Sequence, residues 1–264
     1  MKRAERAARV GRFGTVALFV AAAGIIGVAV TRTRSTDGAV LAQSFAGRPV
    51  RWARAEIQIE LVESSTLPTG VLRDAMLMGA RAWNDALSDC GAPRLLIASG
   101  WSTRTKLARD GISTIFVRAK RWCPEGRAEP NDCYEAHRTA ITHLYPSDPP
   151  ERLYGELHEA DIEINNVGFR WSLDGRDDET RSLRALAVHE LGHVLGLDHP
   201  CATAPARGTA RRVCAPRDKD SVMYPAPVEV GRAPVLAPTE AEIEVLCRLY
   251  RDFPLSERER EGKQ

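Results

Sequence analysis

The sequence predicts a mixed α/β (α+β) domain behind a membrane-directed segment. Three observations carry that expectation. Short β-like runs alternate with long stretches of helical periodicity, a last helix opens on a capping box, and 44% hydrophobic residues in 264 supply apolar surface for one full core. A net charge of +2 with 27% charged residues gives no sign of a nucleic-acid partner.

The elements follow in chain order. Lys2, Arg3, Arg6, Arg9 and Arg12 precede an uncharged run from Phe13 to Val30. As a helix this run spans about 27 Å, close to the hydrocarbon thickness of a bilayer. Residues 1–12 are expected to stay cytoplasmic and the remainder to be exported. Two outcomes stay open. Residues 13–30 are either a retained anchor or a signal segment removed after Ala42, in "VLAQ"; the run is longer than a usual signal core, and Arg32 and Arg34 follow it at once. The domain is thus membrane-anchored outside the cytoplasm, or secreted. Residues 31–48 read as a polar linker, 49–253 as the domain and 254–264 as a charged tail.

Within the domain, Ile57, Ile59 and Leu61 share one face of a strand. From Pro68 the positions Leu72, Ala75, Met76, Gly79, Ala82, Trp83 and Ala86 keep a helical stripe, with Trp83 in the core. "RLLIAS" (94–99) and "ISTIFVRA" (112–119) read as strands, 120–136 as a loop, and "RTAITHLY" (138–145) and "ADIEIN" (160–165) as two further strands. His137, His143 and His158 in this region are expected as surface or hydrogen-bonded histidines. "DGRDDET" (174–180) offers N-cap residues to a helix with the stripe Leu183, Leu186, Ala187, Leu191 and Val194. A long connection then carries Arg207, Arg211, Arg212, Arg217 and Lys219, read as a solvated basic loop. Thr239 and Glu242 form a capping box for the last helix, with Ile243, Leu246, Leu249 and Tyr250 inward.

The chemistry concentrates in "LAVHELGHVLGLDHP" (186–200), which holds three of the chain's 6 histidines. Four residues apart on a helix, His189 and His193 lie on one face and can reach one ion. Glu190 sits beside them as a base able to take a proton from water without entering the coordination shell. A straight helix would carry His199 away, so the chain must leave the helix, and Gly196 tolerates the left-handed backbone of a helix end. The full pattern H-E-x-x-H-x-x-G-x-x-H arises by chance on the order of 10⁻⁵ times in a chain of this length.

That pattern, followed by "SVMYP" (221–225) with Met223 at the centre of a Met-turn, resembles the metzincin metallopeptidases. Matrixins are the nearest match: "ADIEIN" resembles their Ala-Asp-Ile strand and "TEAEIEVLCRLY" (239–250) their closing helix, over about residues 50–253. The resemblance implies a twisted mixed sheet over an active-site helix and a C-terminal helix. It implies one catalytic Zn²⁺ on His189, His193 and His199, with Glu190 as general base, Met223 as an apolar floor, and a protein or peptide substrate. One of the strands 138–145 and 160–165 is expected to form the upper rim of the cleft, and "PAPVEVGRAPVLAP" the wall of the S1′ pocket.

Departures from the family are equally specific. Only 27 residues separate Asp161 from His189, too few for the loop that holds structural zinc and calcium in animal matrixins, so Ca²⁺ is left open. Pro200 resembles the serralysin branch, but Tyr224 directly follows Met223, so no tyrosine ligand is expected. No cysteine precedes Cys90, which argues against latency through a propeptide thiol. A zinc-binding module without turnover, or a serralysin-like branch, is the alternative.

Six cysteines in the exported part suggest disulfides. Fifteen connectivities are possible. Proximity makes Cys123–Cys133 and Cys201–Cys214 the economical pairs and leaves Cys90–Cys247.

Overall fold

The alternation at Ile57, Ile59 and Leu61 becomes an interior strand of a six-stranded sheet, all three side chains fully buried. The computed structural model describes residues 39–64, 66–124, 126, 133–150, 154–177, 179–202, 212–228 and 233–252, all within the unit Arg34–Gln264. The segment 13–30, read as anchor or signal, and the charged tail lie outside the described residues. So do Arg207 and Arg211.

The strands are β1 (Val40–Leu41), β2 (Val50–Trp52), β3 (Glu56–Val62), β4 (Arg94–Ser102), β5 (Ser113–Arg118), β6 (Ala140–Ser147), β7 (Gly155–Asn165), β8 (Trp171–Ser172), β9 (Arg181–Ser182) and β10 (Leu197–Asp198). Three helices complete the fold: α1 (Thr69–Ala86), α2 (Leu183–Val194) and α3 (Glu240–Asp252). The main sheet runs β2-β7-β5-β3-β4 with parallel pairings, and β6 adds antiparallel to β7. It is therefore mixed, as expected, with the antiparallel strand at an edge.

Helices α1 and α2 cover one face. At their crossing Gly79 lies against α2, where an added Cβ would come 3.0 Å from the Ala187 Cβ, so a side chain there would push the helices apart. Trp83 is buried, and its indole Nε1 donates to the Val188 carbonyl at 2.7 Å. A bulky apolar ring thus gains packing without leaving its N–H unpaired.

Strand ends shift by a few residues, as at Arg94–Ser102 and Ala140–Ser147, and three larger differences from the sequence reading bear on the site. The strand read at 160–165 begins at Gly155. Residues 39–48, read as linker, belong to the fold: Val40 and Leu41 pair with Asp198 and Leu197, and Ser44 hydrogen-bonds Asp148. The N-cap of α2 is Ser182, whose side chain accepts from Ala185 N at 3.1 Å, rather than a residue of 174–180. The reason is that Trp171–Ser172 pair with Arg181–Ser182 and keep the chain extended up to Ser182, while Asp177 caps its own turn by accepting from Glu179 N and Thr180 N.

The sheet's other face carries Glu159, Asp161 and Glu163, alternate residues of β7 and all buried. Glu163 is matched by Arg118, by Tyr134 Oη at 2.8 Å and by His143 Nε2 at 2.8 Å. His158 meets Ser147, whereas His137 is exposed. Glu159 instead accepts from Asp110 N and Gly111 N, and Asp161 from Thr114 N. That leaves Glu159 Oε1 and Asp161 Oδ2 buried without a donor. Burial, then the neighbouring Glu159 charge, raises the Asp161 carboxyl far above its ordinary 3.8.

Three disulfides, Cys90–Cys247, Cys123–Cys133 and Cys201–Cys214, use all the cysteines. The first ties the end of α1 to α3.

Because Asp161 holds a proton in the folded state that the unfolded chain has lost, its contribution to stability falls as pH rises from 3.8 towards the folded-state value. Asp161→Asn keeps the acceptor for Thr114 N and supplies an amide donor towards Glu159. Its thermal unfolding midpoint is expected to gain on the wild type between about pH 5 and about pH 9. A variant that loses ground at the alkaline end would contradict this account of the pair.

Candidate metal centre

Helix α2 carries His189, Glu190 and His193 on buried backbone and stops where the motif requires. Gly196 adopts φ +104°, and a Cβ there would lie 2.7 Å from the Val50 carbonyl oxygen. Conformation and space both demand glycine. The freed carbonyls at the helix end are taken up by three separate parts of the chain. Trp52 Nε1 donates to Val194 O at 2.7 Å, the Tyr250 hydroxyl to Leu195 O at 3.2 Å, and Ala42 N to Gly196 O at 2.8 Å. From Gly196 the chain turns back through β10, paired with β1, and delivers His199 to the helix.

The three predicted ligands meet. His199 Nε2 lies 3.1 Å from the Nε2 atoms of both His189 and His193. Their other nitrogens are committed: His189 Nδ1 donates to Val222 O at 2.7 Å and His193 Nδ1 to Leu197 O at 2.9 Å. A proton on each Nδ1 leaves a lone pair on the Nε2 of His189 and of His193, both turned towards His199 Nε2. A cation placed there would be met by all three ring nitrogens. Tetrahedral zinc at its usual bond length to nitrogen separates ligand atoms by about 3.3 Å, close to the spacing found. Burial, then the His193 charge, pushes the His189 imidazole down to about 3, against the opposing pull of the Val222 carbonyl, so this ring stays neutral and able to ligate.

Glu190 is 3% exposed and points to β6, where Thr142 Oγ1 donates to its Oε2 at 2.6 Å. Burial raises its pKa, opposed by the nearby His193 charge and by the Thr142 hydrogen bond. The carboxylate stays outside the imidazole trio.

Met223 packs against α2: a Cβ on Gly192 would sit 2.4 Å from Met223 Sδ and 3.0 Å from the Trp83 ring, so the absence of a side chain before the second ligand lets the methionine approach the helix. The turn is fastened by Glu242, which accepts from Ser221 Oγ at 2.6 Å and Met223 N at 3.1 Å while also taking Thr239 N at 2.7 Å. The capping box was visible in the sequence; its second job was not. Nor were the roles of Thr142, Trp52 and Gly192, which depend on contacts between distant segments.

The connection between His199 and Met223 is not wholly a solvated basic loop. Arg212, exposed like Arg217 and Lys219, grips the buried Asp218 with two nitrogens beside the Cys201–Cys214 bridge. A carboxylate in a hydrogen-bonded turn gives Arg212 a fixed partner that charge patterning alone cannot reveal. Cys201, Cys214 and Asp218 also lie close together, but the cysteines are bridged and offer no thiolate.

A family model described as Matrixin matches residues 126–205, from before β6 through α2 to just past His199, and stops short of the Met-turn. A comparison with curated proteins finds no match.

Gly192→Ala is expected to cost about 1–3 kcal/mol of stability through overpacking and to weaken zinc retention, since Met223 and the His193 turn cannot both hold position. Thermal unfolding with a chelator competition reads both effects. Unchanged values in the two assays would show that the floor yields without disturbing the ligands.

Proposed function

We propose, from the match of residues 126–205 to the Matrixin model, that the chain is a matrixin-like metzincin and a zinc-dependent endopeptidase hydrolysing peptide bonds in protein or peptide substrates. What carries the reading is the convergence of three imidazole Nε2 atoms, two of the rings held through Nδ1 by backbone carbonyls, beside a buried carboxylate that is not a ligand. When bound, zinc supplies a Lewis acid that lowers the pKa of water from about 15.7 towards 7 and polarises the scissile carbonyl.

His189, His193 and His199 would hold the ion, and the carbonyls of Val222 and Leu197 hold two of the rings. Glu190 takes the proton of the attacking water and returns it to the leaving amine. Strand β6 supports binding of an extended peptide: among the described residues it pairs only with β7, so its outer edge is free for main-chain hydrogen bonds, and it runs beside Glu190. Of the two strands expected at the cleft rim, β6 is the one with a free edge.

The domain acts outside the cytoplasm, tethered by residues 13–30. The basic flank and apolar run support this, as do three disulfides. Among the described residues no helix is long and apolar enough to cross a membrane.

Two variants test the catalytic assignment. Glu190→Ala is expected to keep about one zinc per chain while peptide cleavage falls by at least the 10²–10⁴-fold typical of general-base help; His193→Ala is expected to lose both metal and activity. A Glu190→Ala protein cleaving at the wild-type rate would exclude the mechanism, and zinc-loaded wild type that cleaves nothing in a broad peptide library would favour a binding module.

For the tether, full-length protein expressed in a bacterium is expected to stay in the membrane fraction after carbonate washing and to keep its N-terminal sequence. A soluble form beginning at Gln43 would establish cleavage instead.

A further inference from the structure

Strand β6 places Ala140, Thr142 and Leu144 on the sheet face that meets the helices, because they stand opposite the buried Ile164, Ile162 and Ala160 of β7. Ala140 and Leu144 pack on the core. Thr142 is the one hydroxyl in this apolar row, and it is spent on the Glu190 carboxylate, 2.6 Å from Oε2. Among the described residues no other donor reaches that carboxylate.

We propose that Thr142 is a positioning residue for the base: its hydroxyl holds Oε2 of Glu190, so that Oε1 alone takes the proton from water and passes it to the leaving amine. This rests on the endopeptidase reading above. The proton account balances. Water loses a proton to Oε1 as its oxygen bonds the carbonyl carbon; the same proton leaves Oε1 for the amine nitrogen as the C–N bond breaks. Thr142 keeps its own proton throughout, because it can donate to Oε2 in either state of the carboxyl. A base left to rotate between two equivalent oxygens would lose part of its alignment. Thr142 also belongs to the strand whose open edge receives the peptide, so one element sets both the position of the scissile bond and the orientation of the base.

Threonine in a strand can be there for its shape alone, and valine has nearly the same shape and β preference without the hydroxyl. Full-length Thr142→Val and Thr142→Ser therefore separate the two roles. In Thr142→Val, kcat on a fluorogenic peptide is expected to fall about 10- to 100-fold, as for loss of a hydrogen bond to a charged group. KM is expected to stay within about twofold, since the substrate contacts lie on the backbone edge, with zinc stoichiometry unaltered. Thr142→Ser is expected to recover most of kcat. The ¹³Cδ resonance of Glu190, assigned by its loss in Glu190→Gln, reports the contact without reference to activity, and is expected to move in the valine variant and return in the serine variant.

A valine variant with wild-type kcat overturns the proposal and leaves the peptidase reading standing. So does a serine variant as slow as the valine one, which would assign the effect to the γ-methyl group. An unmoved Glu190 resonance removes the contact itself. Wild type that cleaves no peptide, with the resonance still responding, overturns the peptidase reading and the positioning role with it.

Discussion

The candidate site depends on three imidazole Nε2 atoms brought together, with that of His199 3.1 Å from each of the other two. Such a convergence from separate parts of the sequence has to be imposed by the chain. A helix alone can impose two of the three, because residues four apart share a face. The third requires the chain to leave the helix within a few residues and double back. Gly196 makes the turn sterically possible, but a turn does not hold itself. Trp52, Tyr250 and Ala42 each cover one of the carbonyls exposed where α2 ends, and they come from the second strand, the last helix and the residue that follows the first strand. The ligand geometry is therefore a property of the whole fold.

The same logic governs the ring orientations. His189 is oriented by the carbonyl of Val222, which belongs to the Met-turn, and the Met-turn is oriented by Glu242 at the start of α3. A carboxylate with four donors around it is a rigid anchor, and burial makes each bond stronger than it would be in water. The Cys90–Cys247 bridge fixes α3 to α1, and Trp83 on α1 touches the site from below through Gly192 and Val188. Two independent routes thus run from the ligands to the C-terminal helix, so a disturbance of that helix reaches the metal centre although no ligand lies on it.

What the sequence made legible follows from range. His189, Glu190, His193, Gly196 and His199 are a local constellation, and spacing on a helix plus one turn suffices to read it. Trp83, the stripe of α1 and the alternation in β3 were legible for the same reason. Thr142 and Trp52 were not: an isolated threonine in "RTAITHLY" is an ordinary strand residue until β6 is known to lie against α2. Arg212 is exposed, as a basic loop would have it, but its two-nitrogen grip on Asp218 was not legible because the turn that buries that carboxylate is not in view in the sequence. The α2 N-cap was misplaced by an acidic stretch that satisfies its own turn, leaving the cap to Ser182. Proximity did suffice for the cysteine pairs, where two short loops left a single long-range partner.

The first strand bears on how the chain begins. A cut after Ala42 would remove Val40 and Leu41 from beside β10 and take away the N–H that covers Gly196 O, leaving that carbonyl half-satisfied at the turn that delivers His199. Val50 N also donates to Ala42 O, which fastens β2, and with it Trp52 against Val194 O, to the same short stretch. The metal site thus depends on residues that signal-peptide removal at "VLAQ" would discard or turn into a free terminus. On physical grounds this favours a chain that keeps residues 39–42, whether by retaining its apolar segment or by being cut closer to it.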